Sequence, residues 1–570
     1  MFTLLPCVPI LIVLLPNRSL AESLSCRSRP SSIRFSAMAM GSRSSEVASN
    51  PVWVRWIVPS AANLFFVALL GTLALTTLSS RLLGDAGIGW HIRTGQMILA
   101  THQVPRVDSF STMSGHSWLA WEWLYDVVVG RLEKTAGLNG VGLFTAVIIA
   151  GVFSWTFRLL LLRGTNFLVA VILVLLAASA SMIHFLARPH VLSWMFTVAW
   201  FWILESWEAA AKPRRPRLLW LLPLLMLVWA NVHGGFLLGF VLLAIYWLSA
   251  VWQWLRLKED RFERILQKID AEKHARALAF FGLLSAAATF VNPYGYKLHV
   301  HIYRYLSNRF LMDHIDEFQS PNFHYVAQKC FAGLLLLTLV ALAAKRREGS
   351  VSQGMVVLFA VYSGLYASRN IPVSSLLLIL VIGPWMSEAM DRVAEKLRGN
   401  ALTPFLQRME TIEFSLRGQL WPLAVIVLAC WLAAHRGKLG ATPVMDARFS
   451  AKRFPIAAVD YLEKQNVLGP VASTDYWGGY LIYRLYPRVR VVVDDRHDFY
   501  GEEFLKSYLK MVHVEPGWEE FLQQHPAQYV LAPKESALAN ILLETSGWKR
   551  VYGDDVAIAF VRTASAVRAK

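Results

Sequence analysis

Long apolar runs recur along most of the chain, separated by short polar segments. They fall near 57–79, 138–160, 166–185, 190–206, 217–232, 235–255, 277–292, 330–344, 352–367, 371–387 and 420–435. A run of roughly 17 to 25 apolar residues crosses a bilayer as a helix, so the pattern predicts about 11 transmembrane helices. The stretch 217–255 is too long for one helix. Asn231-Val232-His233-Gly234-Gly235 interrupts it, which predicts a helical hairpin with the glycines in the turn.

From about His435 the pattern changes to that of a folded α/β unit. AAVDYLEKQN, YWGGYLIYRLY, GEEFLKSYLKMV, WEEFLQQH and ALANILLETS read as helices, whereas GPVAST, RVRVVVDD, AQYVLAP and VAIAFVR read as strands. Their alternation predicts a small, mostly parallel sheet covered on both faces. The expected organisation is an α-helical polytopic membrane protein with a C-terminal α/β domain. A tail, disordered or arising from a mis-assigned start near Met38 or Met40, covers 1–54. The transmembrane domain covers 55–435, with its first outer loop at 80–137, and the α/β domain covers 436–570.

Composition fits this class. Of 570 residues, 55% are hydrophobic and 17% charged. The formal charge of +17 points to membrane orientation rather than to nucleic acid, because the basic residues gather in loops. Arg55, Arg158 and Arg163, the Lys212–Arg217 run, the Arg256–Arg276 segment and Lys345-Arg346-Arg347 all fall on one side. The positive-inside rule then places the N-terminus in the cytoplasm, and an odd number of spans places the α/β domain outside, periplasmic for a bacterial inner membrane. The cysteines (Cys7, Cys26, Cys330, Cys430) leave the α/β domain without a disulfide framework, and no Walker or GxGxxG motif marks a nucleotide site.

The loop from Gly84 to Tyr125 is too polar for membrane and carries Asp85, Trp90, His91, Arg93, Asp108 and Glu122. The predicted topology brings Arg188, His190, His233, Asn292, Arg369 and Asn370 to the same face. Ionisable groups near membrane depth usually line a functional cavity. Arg188 and Arg369 also violate the positive-inside pattern, and a guanidinium matches phosphate oxygens. Each residue has a plainer reading: arginines snorkelling to headgroups, buried histidines, Asp85 pairing with Arg81 or Arg93, Asp108 capping a turn, and Glu122 anchoring at the interface. In the α/β domain, Asp475, Trp477, Asp494, Asp495 and His497 follow strands, where open sheets bind ligands. Capping and surface ion pairs are the alternative; Asp494, Asp495 and His497 are also compatible with a divalent cation, Mg or Mn.

The loop reading Asp85…Trp90-His91…Gly95…Val104-Pro105-Arg106-Val107-Asp108-Ser109-Phe110-Ser111, with many spans and an outer C-terminal domain, resembles the GT-C membrane glycosyltransferases. These include the protein O-mannosyltransferases and the oligosaccharyltransferase catalytic subunits. The resemblance implies a polyprenyl-phosphate-linked sugar as donor, an acceptor that is a protein, lipid or polysaccharide, and an acidic residue in the first outer loop as base or metal ligand. Asp85 is the matching position. Two departures stand out: Asp85 is followed by Ala86 rather than a second acid, and Asp475-Tyr476-Trp477-Gly478-Gly479 replaces the Trp-Trp-Asp-Tyr-Gly of oligosaccharyltransferases. Acceptor-sequon recognition is therefore not carried over. Two rival readings are a transporter or flippase for lipid-linked sugars, which needs no essential carboxylate, and an O-antigen ligase or polymerase, which concentrates its outer residues late in the chain.

Overall fold

The computed structural model describes residues 52–210, 216–345, 350–396, 408–409, 411–413, 416 and 418–563. The expected tail, apart from its last three residues, and the basic positions 212–215 and 346–347 lie outside the described residues. Every apolar run of the sequence lies on a helix. Five helices are long and apolar enough to cross a membrane: Trp123–Leu162, Phe167–His184, Gly234–Arg256, Val326–Ala344 and Ser368–Val393. Four shorter apolar helices are Ala61–Leu75, Pro216–Trp229, Val351–Tyr366 and Leu420–Ala434. The run 190–206 lies within His190–Ala209 and most of the run 277–292 within Phe262–Thr289, which belong to neither group. Among the described residues, five helices thus qualify as spans by length and composition, and the count of about eleven is not confirmed.

Helix ends follow local chemistry. Ser60 starts Ala61–Leu75 by accepting from the Asn63 amide at 3.3 Å, and Asn166 starts Phe167–Ser181 by accepting from Leu168 at 3.0 Å. The 40-residue helix Trp123–Leu162 is interrupted at Gly137, whose φ of 62° only glycine adopts cheaply. That break divides its loop-side arm from the apolar arm, where the sequence pattern begins its span. The helix is central, packing on Ala61–Leu75, Ile88–Thr101, His190–Ala209 and Leu420–Ala434. Phe153, Leu160, Trp200 and the run from Leu376 to Ile382 are sealed inside, whereas Leu64, Ile172, Leu336, Leu358 and Val427 point outward. So much exposed aliphatic surface is what a lipid-facing bundle presents.

The hairpin within 217–255 forms as the pattern predicts, with Leu221–Trp229 and Leu237–Arg256 meeting at His233-Gly234-Gly235. The C-terminal unit holds a four-stranded sheet of β1 (Val471–Ser473), β2 (Tyr529–Pro533), β3 (Trp548–Gly553) and β4 (Ala557–Arg562), in the order β1-β2-β4-β3. Only β1 and β2 are parallel; β4 runs antiparallel to both its neighbours. The expectation of a mostly parallel sheet is thereby corrected. β3 escaped the sequence pattern because it is an edge strand carrying exposed Lys549 and Arg550. RVRVVVDD is buried but makes only isolated bridges. Its backbone is shared instead: Val491 donates to Phe110 O (3.1 Å) and accepts from Thr112 (2.9 Å), while Val492 donates to Val471 O (2.9 Å). The segment joins the first loop to the sheet.

Candidate active site

The first loop is organised from its own start. Asp85 accepts from the Gly87 amide at 2.7 Å, turning the chain into helix Ile88–Thr101. That helix lies directly on helix Asp475–Leu485. A Cβ on Gly89 would meet the Gly479 carbonyl, and one on Gly479 would meet that of Ala86. Of the paired glycines of the YWGGY segment, Gly479 therefore serves close helix approach, while Gly478 lies against Val493 and Asp494. Arg93 belongs to the same contact, donating from Nε to Tyr483 O at 2.9 Å. The loop is pinned to the bundle by Tyr294, which accepts from the Ala120 amide (2.8 Å) and donates to Pro105 O (2.7 Å), and by Asn231, which accepts from Trp123 Nε1 at 2.8 Å.

A buried ion cluster locks loop and domain together. Arg496 donates to Asp108 at 2.8 Å and to Asp494 at 2.7 and 2.8 Å, and its guanidinium lies 4.6 Å from the centre of the Trp118 ring. Asp108 also accepts from the Ser111 hydroxyl at 2.7 Å. Burial alone would raise the pKa of Asp108, but Arg496 and Ser111 hold it below the usual carboxylate range.

Beyond this lock, a cleft with about 690 Å³ of space not filled by protein opens between the bundle, the loop and the domain. Arg188 is its centre. Its guanidinium lies 3.1 Å from Asp85, 3.8 Å from Asp495 and 3.9 Å from Glu317. Arg369 lies 3.9 Å from the same Glu317 oxygen and over the Phe318 ring. Asp495 accepts from Trp90 Nε1 at 3.1 Å, while its second oxygen is buried without a hydrogen-bond partner. Burial, reinforced by Asp85 and opposed by Arg188, pushes Asp495 up to about 7. Glu317 behaves oppositely: burial raises it, yet Arg369 and then Arg188 outweigh burial and keep it well below the usual range. Trp121, Glu122 and His233 also line the cleft. His190 also lines the wall and donates from Nε2 to His184 O at 2.9 Å.

The structure thus gathers Trp90, Glu122, Arg188, His190, His233, Arg369 and Asp495 around one cleft, with Asp85 joined to it through Arg188 and His91 3.8 Å from Glu122. It leaves the other candidates in bonds away from the cleft. Arg93, Asp108 and Asp494 join loop to domain, and Asn370 donates to Ser363 O at 3.2 Å. Asp475 pairs with His497 at 2.8 Å, and Trp477 donates to Arg453 O at 2.9 Å. Sequence reasoning missed Trp121, Tyr305, Glu317 and Asp498, all of which line the cleft. Asp498 had a signal, as the last acid of DDRHD; Glu317 lies in the long segment between spans, which carried none.

For a divalent cation the fit is poor. Among the described residues, no group of three or more His, Cys, Asp or Glu side chains is arranged to hold one. The nearest pair of carboxylates, Asp85 and Asp495, already shares the Arg188 guanidinium.

No protein-family model and no curated protein matches the sequence. Solved structures do match in fold. The chain is similar to the Archaeoglobus fulgidus oligosaccharyltransferase tethered with an acceptor peptide containing the NVT sequon, at 12% identity and a TM-score of 0.50, covering 89% of this chain and 73% of that one. It also matches ArnT from Cupriavidus metallidurans bound to undecaprenyl phosphate, at 13% identity and a TM-score of 0.45, covering 88% and 98%. The arabinofuranosyltransferase AftD from Mycobacteria matches at 13% identity and a TM-score of 0.45, covering 89% of this chain and 42% of that one. At such identities the likeness is one of fold alone.

Proposed function

We propose that this protein transfers a sugar from a polyprenyl-phosphate carrier to an acceptor on the membrane face that carries the C-terminal domain. The alternation of basic loops makes that face the outer one, periplasmic in a bacterial inner membrane. The observation that carries the reading is the sharing of Arg188 among Asp85, Asp495 and Glu317, with Arg369 alongside. Two guanidinium groups beside carboxylates, at the lip of an apolar bundle, suit a lipid phosphate next to a base. Arg369 and Arg188 meet the phosphate and stabilise the charge that grows on it as the carrier leaves. Arg188 turns from Asp85 toward the phosphate, which frees the Asp85 carboxylate. The acceptor hydroxyl oxygen then attacks the anomeric carbon, the bond from that carbon to the phosphate oxygen breaks, and the hydroxyl proton passes to Asp85. A single displacement inverts the anomeric carbon. No step runs through a metal ion, since Arg188 already supplies positive charge between Asp85 and Asp495.

The test is transfer of radiolabelled sugar from polyprenyl-phosphate sugars in membranes. Wild type should move label to an acceptor. Asp85→Asn should lower kcat by about 10²- to 10⁴-fold, the usual range for a lost general base, at unchanged expression. Donor that is bound but never consumed, with Asp85→Asn equal to wild type, would favour a carrier of lipid-linked sugars instead.

A further inference from the structure

The part of the cleft around His233 and Glu122 has a different character. His233 accepts hydrogen bonds at Nδ1 from the Gly235 amide (3.0 Å) and from Ser193 Oγ (2.8 Å), whose own lone pair is taken by Trp229 Nε1 at 2.7 Å. Those bonds leave the His233 proton on Nε2, which faces Glu122 Oε1 at 3.8 Å. On the other side, His91 spends Nδ1 on Asp126, and its buried Nε2, without a hydrogen-bond partner, faces Glu122 Oε2 at 3.8 Å. Both gaps are too long for hydrogen bonds. Glu122 is therefore held between two imidazoles while its carboxyl group, at the floor of the cleft, keeps its hydrogen-bonding capacity. Trp121 stacks on His233 with ring centres 6.3 Å apart, and Trp90 stands on the opposite wall. Aromatic faces around a few hydrogen-bonding groups suit the apolar and hydroxyl-bearing sides of a sugar ring.

We propose that Glu122, His233 and Trp121 form the subsite for the transferred sugar, and that Glu122 meets a sugar hydroxyl as a hydrogen-bond donor. This rests on the transferase reading above. A donor carboxyl must be protonated, and the surroundings favour that form. Burial pushes Glu122 up to about 8, with Asp498 and Glu317 adding to the rise and Arg188 and Arg369 opposing it. His91, His233 and Asp126 are the other titratable groups facing this corner.

The experiment compares Glu122→Gln with Glu122→Ala. Gln donates a hydrogen bond at every pH and does not titrate. Wild-type kcat/KM should fall on the alkaline side with a midpoint near pH 8. Glu122→Gln should stay within about tenfold of wild type at pH 6 and lose that alkaline limb. Glu122→Ala should raise the donor KM at least tenfold, the scale of a lost buried hydrogen bond. Gln as inactive as Ala at pH 6 would overturn the proposal, because the carboxylate would then be the working form. Tryptophan fluorescence titration with polyprenyl-phosphate glucose and with bare polyprenyl phosphate separates this subsite from the reaction. Tighter binding of the sugar-bearing lipid, lost in Glu122→Ala, supports the subsite even if no transfer occurs. Transfer that proceeds with Glu122→Ala equal to wild type rejects the subsite and leaves the transferase reading standing.

Discussion

At the scale of single residues, the cleft is governed by the ratio of arginines to carboxylates. Two guanidiniums face Asp85, Asp495 and Glu317, so burial leaves one acid partly protonated near neutrality. Asp495 carries that burden, because Glu317 is served by both arginines. The consequence for stability follows from linkage. With a folded pKa near 7 against an unfolded value near 3.8, the folded state binds the extra proton between those pH values. Stability contributed at Asp495 is therefore highest below pH 4, falls through the interval and levels off above 7. Asp495→Asn should remove this dependence, raising the thermal unfolding temperature more at pH 8 than at pH 5; an equal change at both pH values would contradict the assignment. Arg369 has a different role. Its only ion-pair partner among the described residues is Glu317 at 3.9 Å, which leaves its guanidinium available to a phosphate. Arg369→Ala should lower kcat/KM by roughly 10- to 100-fold, through kcat as well as the donor KM, as expected of a group that binds the phosphate and stabilises the charge growing on it. Arg188 and Arg369 were legible in the sequence because each breaks the charge rule of its loops. Which of Asp494 and Asp495 enters the cleft was not legible: adjacent side chains on an extended segment point opposite ways, and only the position of Arg496 decides between them.

At the scale of elements, function depends on how closely helix Ile88–Thr101 lies against helix Asp475–Leu485. Gly89 and Gly479 allow backbone contact there, and the Ala86 carbonyl touching Gly479 is one residue from Asp85. Gly479→Ala places a methyl group against that carbonyl. Overpacking of this kind typically costs about 1–3 kcal/mol, and here it also displaces the Asp85 turn. The expected outcome is a lower unfolding temperature together with a drop in kcat, read by thermal scanning and by the transfer assay. A fall in stability with kcat intact would show that the helix contact does not position Asp85. Helix Asp475–Leu485 was legible as YWGGYLIYRLY, whereas Ile88–Thr101 was read only as part of the first loop; the break at Gly137 falls where the apolar run begins. Their contact was invisible, because a glycine pair signals close approach without naming the partner. The same limit applied to RVRVVVDD, whose apolar run correctly indicated burial. Its hydrogen bonds go to a loop some 380 positions away in sequence, so no local pattern could distinguish it from a regular strand.

At the scale of the whole molecule, the cleft exists only while three bodies stay together: the bundle, the first loop and the C-terminal domain. The bundle supplies Arg188, His190 and Arg369, the loop supplies Asp85, Trp90 and Glu122, and the domain supplies Asp495 and Asp498. The lock between the last two is Arg496, buried between Asp108 of the loop and Asp494 of the domain, with aromatic rings around it. Removing the shared cation would leave two buried carboxylates unpaired, a change that costs roughly 3–5 kcal/mol. Arg496→Ala should therefore loosen the domain from the loop, exposing the segment around 490–500 to limited proteolysis, and transfer should fall with it although Asp85, Arg188 and Arg369 are untouched. The double change Asp108→Asn with Asp494→Asn in that background removes the stranded charges and should restore part of the lost stability. If it restores stability but not transfer, then Arg496 has a role at the cleft wall beyond joining the bodies. If it restores both, the cluster is a joint, and the C-terminal domain acts in the reaction chiefly by carrying Asp495 to Arg188.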